Sequence, residues 1–381
     1  MTSLTVARKR STWISYGQVG AFGWYVYALG PAMALLSDEQ GTTPVVMSLH
    51  MSAMALGTLV SGATASRAVA RWGRGRMLRT AGLGIAGAIT LLVAAPNTAI
   101  SLTASLFAGM CAAIIVTMTS SFLNNEHGTA APVAVTEANS GAALSGLLSP
   151  LVLGALVGAG FGWRVGILIS AIAFVILEVL RGPVAAYSRI EAHHTDTKGP
   201  LPALYWWAWL LISCTTGAEF ILLTWATDLM RSWGGLGDAA AVASVATFTS
   251  GLLLGRLLLG QLTKRFPTER LLKISLFATM ASFWGFWSTS NSTVMLIALF
   301  FCGFTMAGHW PLGLSRLFRA GGNQPDRASA LTAFATGGSS LLMPLLLGVL
   351  AQLADIHTAF LLFPVLLCVP IGIVLLRPIA Q

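Results

Sequence analysis

The stretch SRAVARWGRGRMLR, Ser66–Arg79, crowds five arginines around one short Arg-Trp-Gly-Arg turn, with a long apolar run on either side. A helix needs about 20 apolar residues to cross about 30 Å of hydrocarbon. Runs of that order recur from Trp13 to Leu376. The 381 residues are 55% hydrophobic and 9% charged, whereas an average soluble domain carries about 25% charged residues. A soluble globule is excluded, and the basic turn reads as a connection between membrane helices. The fold class is an all-α membrane protein.

Breaking the runs at glycine, proline and charged clusters predicts twelve transmembrane helices, near 13–36, 43–69, 77–95, 99–123, 132–159, 163–184, 205–231, 238–262, 269–289, 292–316, 327–353 and 358–377. Of the 22 Lys and Arg residues, all but Arg164, Arg231 and Arg256 fall in alternate connections on one side, with Arg256 placed near a helix end. By the positive-inside rule that side is cytoplasmic, together with both termini and the central linker. Topology therefore accounts for the net charge of +9, and no nucleic-acid partner is expected. The start ARKRSTW resembles a secretory leader, but Pro31 follows the small residues Ala28 and Gly30, and it is read as a retained first span. Cys111, Cys214, Cys302 and Cys368 lie inside apolar runs without metal-ligand spacing and read as packing residues. Neither a metal nor another cofactor is expected.

The longest polar interruption is RGPVAAYSRIEAHHTDTKGPLP, Arg181–Pro202, which sets six spans on either side. The expected organisation is an N-terminal bundle over 1–184, a cytoplasmic linker over 185–204 and a C-terminal bundle over 205–381. Arg71 and Arg265, Pro150 and Pro344, and Gly154 and Gly348 are each 194 residues apart. A duplicated six-helix unit explains that constant offset.

The turn after the second span and its counterpart GRLLLGQLTKRFPTERLL, Gly255–Leu272, resemble the signature loop of the major facilitator superfamily, G-x-L-A-D-R-x-G-R-R. Arg71, Trp72, Gly73 and Arg74 match its R-x-G-R core, and Gly260, Leu262 and Arg265 match in the second copy. Ser66 replaces the first glycine, and Ala70 and Lys264 stand where the aspartate belongs. The resemblance implies two pseudo-symmetric six-helix bundles, with a cytoplasmic gate at Ser66, Arg71, Gly73, Arg74, Gly260 and Arg265. In the fifth span SGLLSPLVLGALVGAG, Ser145–Gly160, resembles the superfamily's antiporter motif through Pro150 and Gly154. Ser145 and Ser149 replace two of its glycines, and Pro344 and Gly348 repeat the feature. Hinge or packing roles are expected for these four prolines and glycines.

A charged carboxylate at a helix centre costs about 2.5–3.5 kcal/mol, so it needs water, a partner or a proton. Glu219 sits near the middle of the seventh span, with Thr215 and Thr216 on its face. The resemblance places spans one, four, seven and ten around a central cavity. Glu219 is thus the leading proton-coupling candidate, followed by Glu137 and His309. Glu137 competes with a helix-start or loop-pairing role, and His309 with plain packing. Gln18, Trp24, Tyr25 and His50 join the two threonines as substrate-cavity candidates. Glu178 and Asp228 are explained by interfacial solvation or by basic neighbours.

The expected function is secondary transport of a small organic solute across the cytoplasmic membrane by a monomer in the lipid bilayer. Protons or another ion drive it, and export is favoured over uptake. An uptake symporter or an uncoupled facilitator is the alternative within that class. A receptor or scaffold without flux is the alternative outside it. An intramembrane enzyme would need a cluster of nucleophile and base or metal ligands, which the sequence lacks.

Overall fold

The computed structural model describes residues 8–182, 201–321 and 325–377. Every regular element among them is helical: α1 (Arg10–Gln40), α2 (Pro44–Trp72), α3 (Arg74–Ala94), α4 (Thr98–His127), a 3-10 turn (Gly128–Ala130), α5 (Ala131–Gly158), α6 (Trp163–Arg181), α7 (Ala203–Ser232), α8 (Asp238–Leu262), α9 (Thr268–Trp287), α10 (Ser292–Met306), α11 (His309–Ala320), α12 (Pro325–Leu353), α13 (Ile356–Ala359) and α14 (Leu362–Leu376). Read as spans, α10 with α11 is the tenth and α13 with α14 the twelfth. Eleven of the twelve are long and apolar enough to cross a membrane. The ninth, α9, begins with Glu269, Arg270 and Lys273, which lower its apolarity.

One expectation is corrected at the tenth span, read as a single helix. It breaks between Met306 and His309. Pro311 has no N–H to offer the Ala307 carbonyl four residues back, and its ring crowds that carbonyl, so the helical ladder is interrupted just before the proline. α8 has the bounds expected for the eighth span and holds Arg256 in its second half.

Contacts divide the chain into two units, one of residues 1–33 and 49–192, the other of 34–48 and 193–381. A cut at the linker would instead leave 34–48 with the first. Residues 185–200 of the expected linker lie outside the described residues.

Within the first unit α2 and α4 cross at glycines. A Cβ on Gly57 would meet the Leu106 carbonyl, and one on Gly109 the Met54 carbonyl. Within the second, α8 and α10 cross in the same way, Gly251 against the Phe300 carbonyl and Gly303 against that of Phe248. All four pairs of equivalent residues are 194 apart, the offset read from the motifs. Asn97 and Asn291 share it too, and each caps its helix: Asn97 accepts from the Ile100 amide, Asn291 from those of Thr293 and Val294. Small residues at such crossings let two backbones touch, which drives helix association in lipid.

Candidate functional site

Glu219 is half-buried on α7. Among the described residues it makes no hydrogen bond or ion pair, although the field of Arg256 on α8 reaches it. Thr215 and Thr216 are buried beside it. The Thr215 hydroxyl donates to its own helix, to the carbonyls of Leu211 at 3.0 Å and Ile212 at 3.2 Å. The offset of 194 relates Glu219 to Tyr25 on α1, whose hydroxyl is fully buried without a hydrogen-bond partner among the described residues.

The other coupling candidates are held by neighbours. Glu137 on α5 accepts from Arg8 at 2.5 and 3.1 Å and from the Tyr16 hydroxyl at 2.7 Å. This hydrogen bonding raises the Arg8 pKa further above its ordinary value. The three residues border a groove of about 750 Å³ that Trp13, Val133, Thr136 and Ser140 complete. Arg8 precedes α1, so this contact ties Glu137 to the start of that helix. His309 is buried, with Nε2 3.2 Å from the Thr279 hydroxyl of α9.

Gln18, a cavity-wall candidate by sequence, is buried in the first unit. Its Nε2 donates to Glu178 at 2.7 Å, and its Oε1 accepts from Thr119 at 3.4 Å, all of them buried. Glu178 in turn pairs with Arg181 at 2.8 Å, the two side chains 2% and 1% exposed. Interfacial solvation therefore does not describe Glu178, because the pair is folded into the unit. Trp24 donates its indole N–H to the Gly166 carbonyl of α6 at 2.9 Å. His50 Nε2 lies 2.8 Å from the Ser101 hydroxyl, joining α2 to α4.

The second unit has a buried charge pair that sequence reasoning does not reach. Arg316 of α11, a loop cation by sequence, is fully buried. It donates to Glu269 of α9 and to the Arg377 carbonyl at the end of α14. Arg319 approaches the same carboxylate at 3.6 Å. Partners 47 residues apart leave no spacing signal.

At the signature turn Gly73 has φ 80°, a left-handed backbone that only glycine adopts cheaply, and it alone links α2 to α3. Ser66 lies in α2, Arg71 is exposed, and Arg74 keeps Nε and Nη1 buried without a partner among the described residues. The arginine that reaches a helix C-terminus is Arg79, donating to the Gly182 carbonyl after α6. In the second copy Gly260 and Arg265 are both exposed. Pro150 and Pro344 are both buried inside continuous helices, as are Gly154 and Gly348. The Pro344 carbonyl accepts from the Trp225 indole at 3.0 Å, and a Cβ on Gly348 would meet Ser48, Pro44 and Trp225.

The family model described as Major Facilitator Superfamily matches residues 18–315. The chain belongs to this superfamily. It is therefore a membrane transport protein rather than an enzyme. Solved members share its fold over nearly their full length. A bacterial homolog of the human lysosomal transporter Spinster, inward-facing and unoccupied, aligns with TM-score 0.75 at 11% identity, covering 97% of each chain. The nucleoside transporter NupG aligns with TM-score 0.74 at 13% identity, covering 98% of this chain and 99% of its own. The D-xylose-proton symporter aligns with TM-score 0.73 at 13% identity, covering 96% of each. No curated protein matches the sequence. As a superfamily transporter the chain acts on a small molecule from within a lipid bilayer.

Proposed function

We propose that this superfamily member is a proton-coupled secondary transporter of a small organic solute, with Glu219 as the group that takes and releases the proton. The observation that carries this reading is the solitude of Glu219: a half-buried carboxylate inside a membrane span, with no ion pair or hydrogen bond among the described residues. Such a group needs water, a substrate or a proton. Glu137 and His309, the other candidates, are held by Arg8, Tyr16 and Thr279. The chain would work in the cytoplasmic membrane by alternating access, with both termini on the cytoplasmic side and export favoured. Reconstitution into liposomes enclosing a pH-reporting dye tests it against a panel of organic cations, anions, sugars and neutral drugs. A solute-dependent pH change that Glu219→Gln abolishes is the expected result, and its sign separates antiport from symport. Solute flux without a pH change would replace this reading with an uncoupled facilitator.

A further inference from the structure

Hydroxyls inside helices normally turn back on their own backbone, and α7 shows the habit clearly. Ser213 donates to the Trp209 carbonyl, Thr215 to that of Leu211, and Ser232 to that of Asp228. Thr224 and Thr227 on the same helix do not. The two residues are 0% and 1% exposed, and among the described residues neither hydroxyl has a hydrogen-bond partner. Asp228 stands beside them with Oδ2 also buried and unpaired. The spacing i, i+3 and i+4 puts the three residues on one helix face, Thr227 and Asp228 each with Cβ about 5–6 Å from that of Thr224.

Charge at this end of α7 favours a cation. Arg231 is shared by three carboxylates: Asp38, Asp228 at 3.2 Å and Asp238 at 3.4 Å. Asp38 presents both oxygens to it and Asp228 accepts only through Oδ1, which leaves Asp228 Oδ2 bare. One guanidinium stands against three carboxylates, so acidic groups outnumber basic ones in the cluster.

We infer that Thr224 Oγ1, Thr227 Oγ1 and Asp228 Oδ2 form a sodium-binding site in α7. Two neutral hydroxyls and one carboxylate oxygen suit a hard monovalent cation, with water completing the shell. Calcium takes six to eight oxygens, commonly several of them carboxylate, and magnesium keeps a rigid octahedron. This site is distinct from Glu219 and does not depend on the proton-coupling reading.

The purified full chain in detergent micelles provides the test. Its melting temperature is followed as sodium chloride replaces choline chloride at constant ionic strength, and again with potassium chloride. Sodium should raise the melting temperature saturably, and potassium should do so only at higher concentration. Thr224→Val and Asp228→Asn should each raise the half-saturating sodium concentration by about tenfold or more, since even outer-shell partners contribute that much to metal affinity. Thr227→Val provides a second isosteric probe should either variant fail to fold. Equal melting in sodium and choline would overturn the site, as would a potassium response matching that of sodium. A sodium shift that survives Thr224→Val and Thr227→Val but is lost in Asp38→Asn would also overturn it, placing the ion on the exposed carboxylates. No solute is needed, so failure here leaves the transport reading untouched.

Discussion

The two units repeat each other where backbone meets backbone and differ where side chains meet. Gly57 and Gly109 recur as Gly251 and Gly303, and the Asn97 cap recurs as Asn291. The buried charges do not recur. The first unit closes a short-range pair, Glu178 with Arg181, on Gln18. The second joins Glu269 to Arg316 across two helices and ties the arginine to the end of α14. At mid-span Tyr25 in one corresponds to Glu219 in the other. A helix crossing without room for a Cβ admits one residue type, so drift after duplication cannot alter it. A side chain in a polar pocket can be exchanged whenever a new partner appears, and there the copies have separated.

The sharpest way to break this contrast is to remove a single partner from each charge pair. Glu178→Ala takes from Arg181 its buried carboxylate, and Glu269→Ala leaves Arg316 its backbone acceptor, so each should cost about 3–5 kcal/mol. Thermal unfolding in detergent would record both losses. If Glu269→Ala melted like the parent protein, the second pair would not hold α9 to α11.

Adding one methyl group at the crossings should cost less and should cost the two units alike. Gly109→Ala and Gly303→Ala each push a Cβ into a backbone carbonyl, an overpacking of about 1–3 kcal/mol. Matching drops in melting temperature would sharpen the equivalence, whereas a silent Gly303→Ala would confine the constraint to the first unit.

The smallest effect belongs to a cap peculiar to the second unit. Asp355 precedes α13 and accepts from the Thr358 hydroxyl at 2.6 Å and from its amide at 3.0 Å. The hydroxyl first and the amide second hold this carboxyl below the usual carboxylate range. A depressed folded-state pKa stabilises above the unfolded value, about 3.9, and the gain disappears as pH falls through the folded value. Asp355→Ala should therefore cost about 1 kcal/mol near neutral pH, the scale of a lost cap, and nothing in strong acid. Melting curves at the two pH values would show whether the difference closes.

Most of the architecture was legible because a bilayer imposes length and apolarity on every span, and because an offset of 194 survives at glycines and prolines. What escaped depends on direction rather than composition. Arg316 reads as one more loop cation, and only the packing of α11 against α9 reveals that it turns inward. The break at Gly308 was signalled by Pro311, but an unbroken apolar run masked it. Around the candidate site, Glu219 stood out as a lone carboxylate in an apolar run. Whether Gln18 faced a cavity or Glu178 depended on the rotation of α1, which a span with polar residues on several sides does not disclose.

Gly73 is the whole of the connection between α2 and α3, and one residue reaches only about 3.5 Å. A tilt of α2 at that end is passed to α3 almost undiminished, so the two act as a single lever with Arg71 and Arg74 at its tip. Between α8 and α9 the chain runs from Thr263 to Pro267 before the next helix begins. The amides of Thr263, Lys264, Arg265 and Phe266 bond back to the carbonyls of Leu259, Gln261 and Leu262, so that longer connection is wound onto the end of α8, and the two joints differ in length rather than in order.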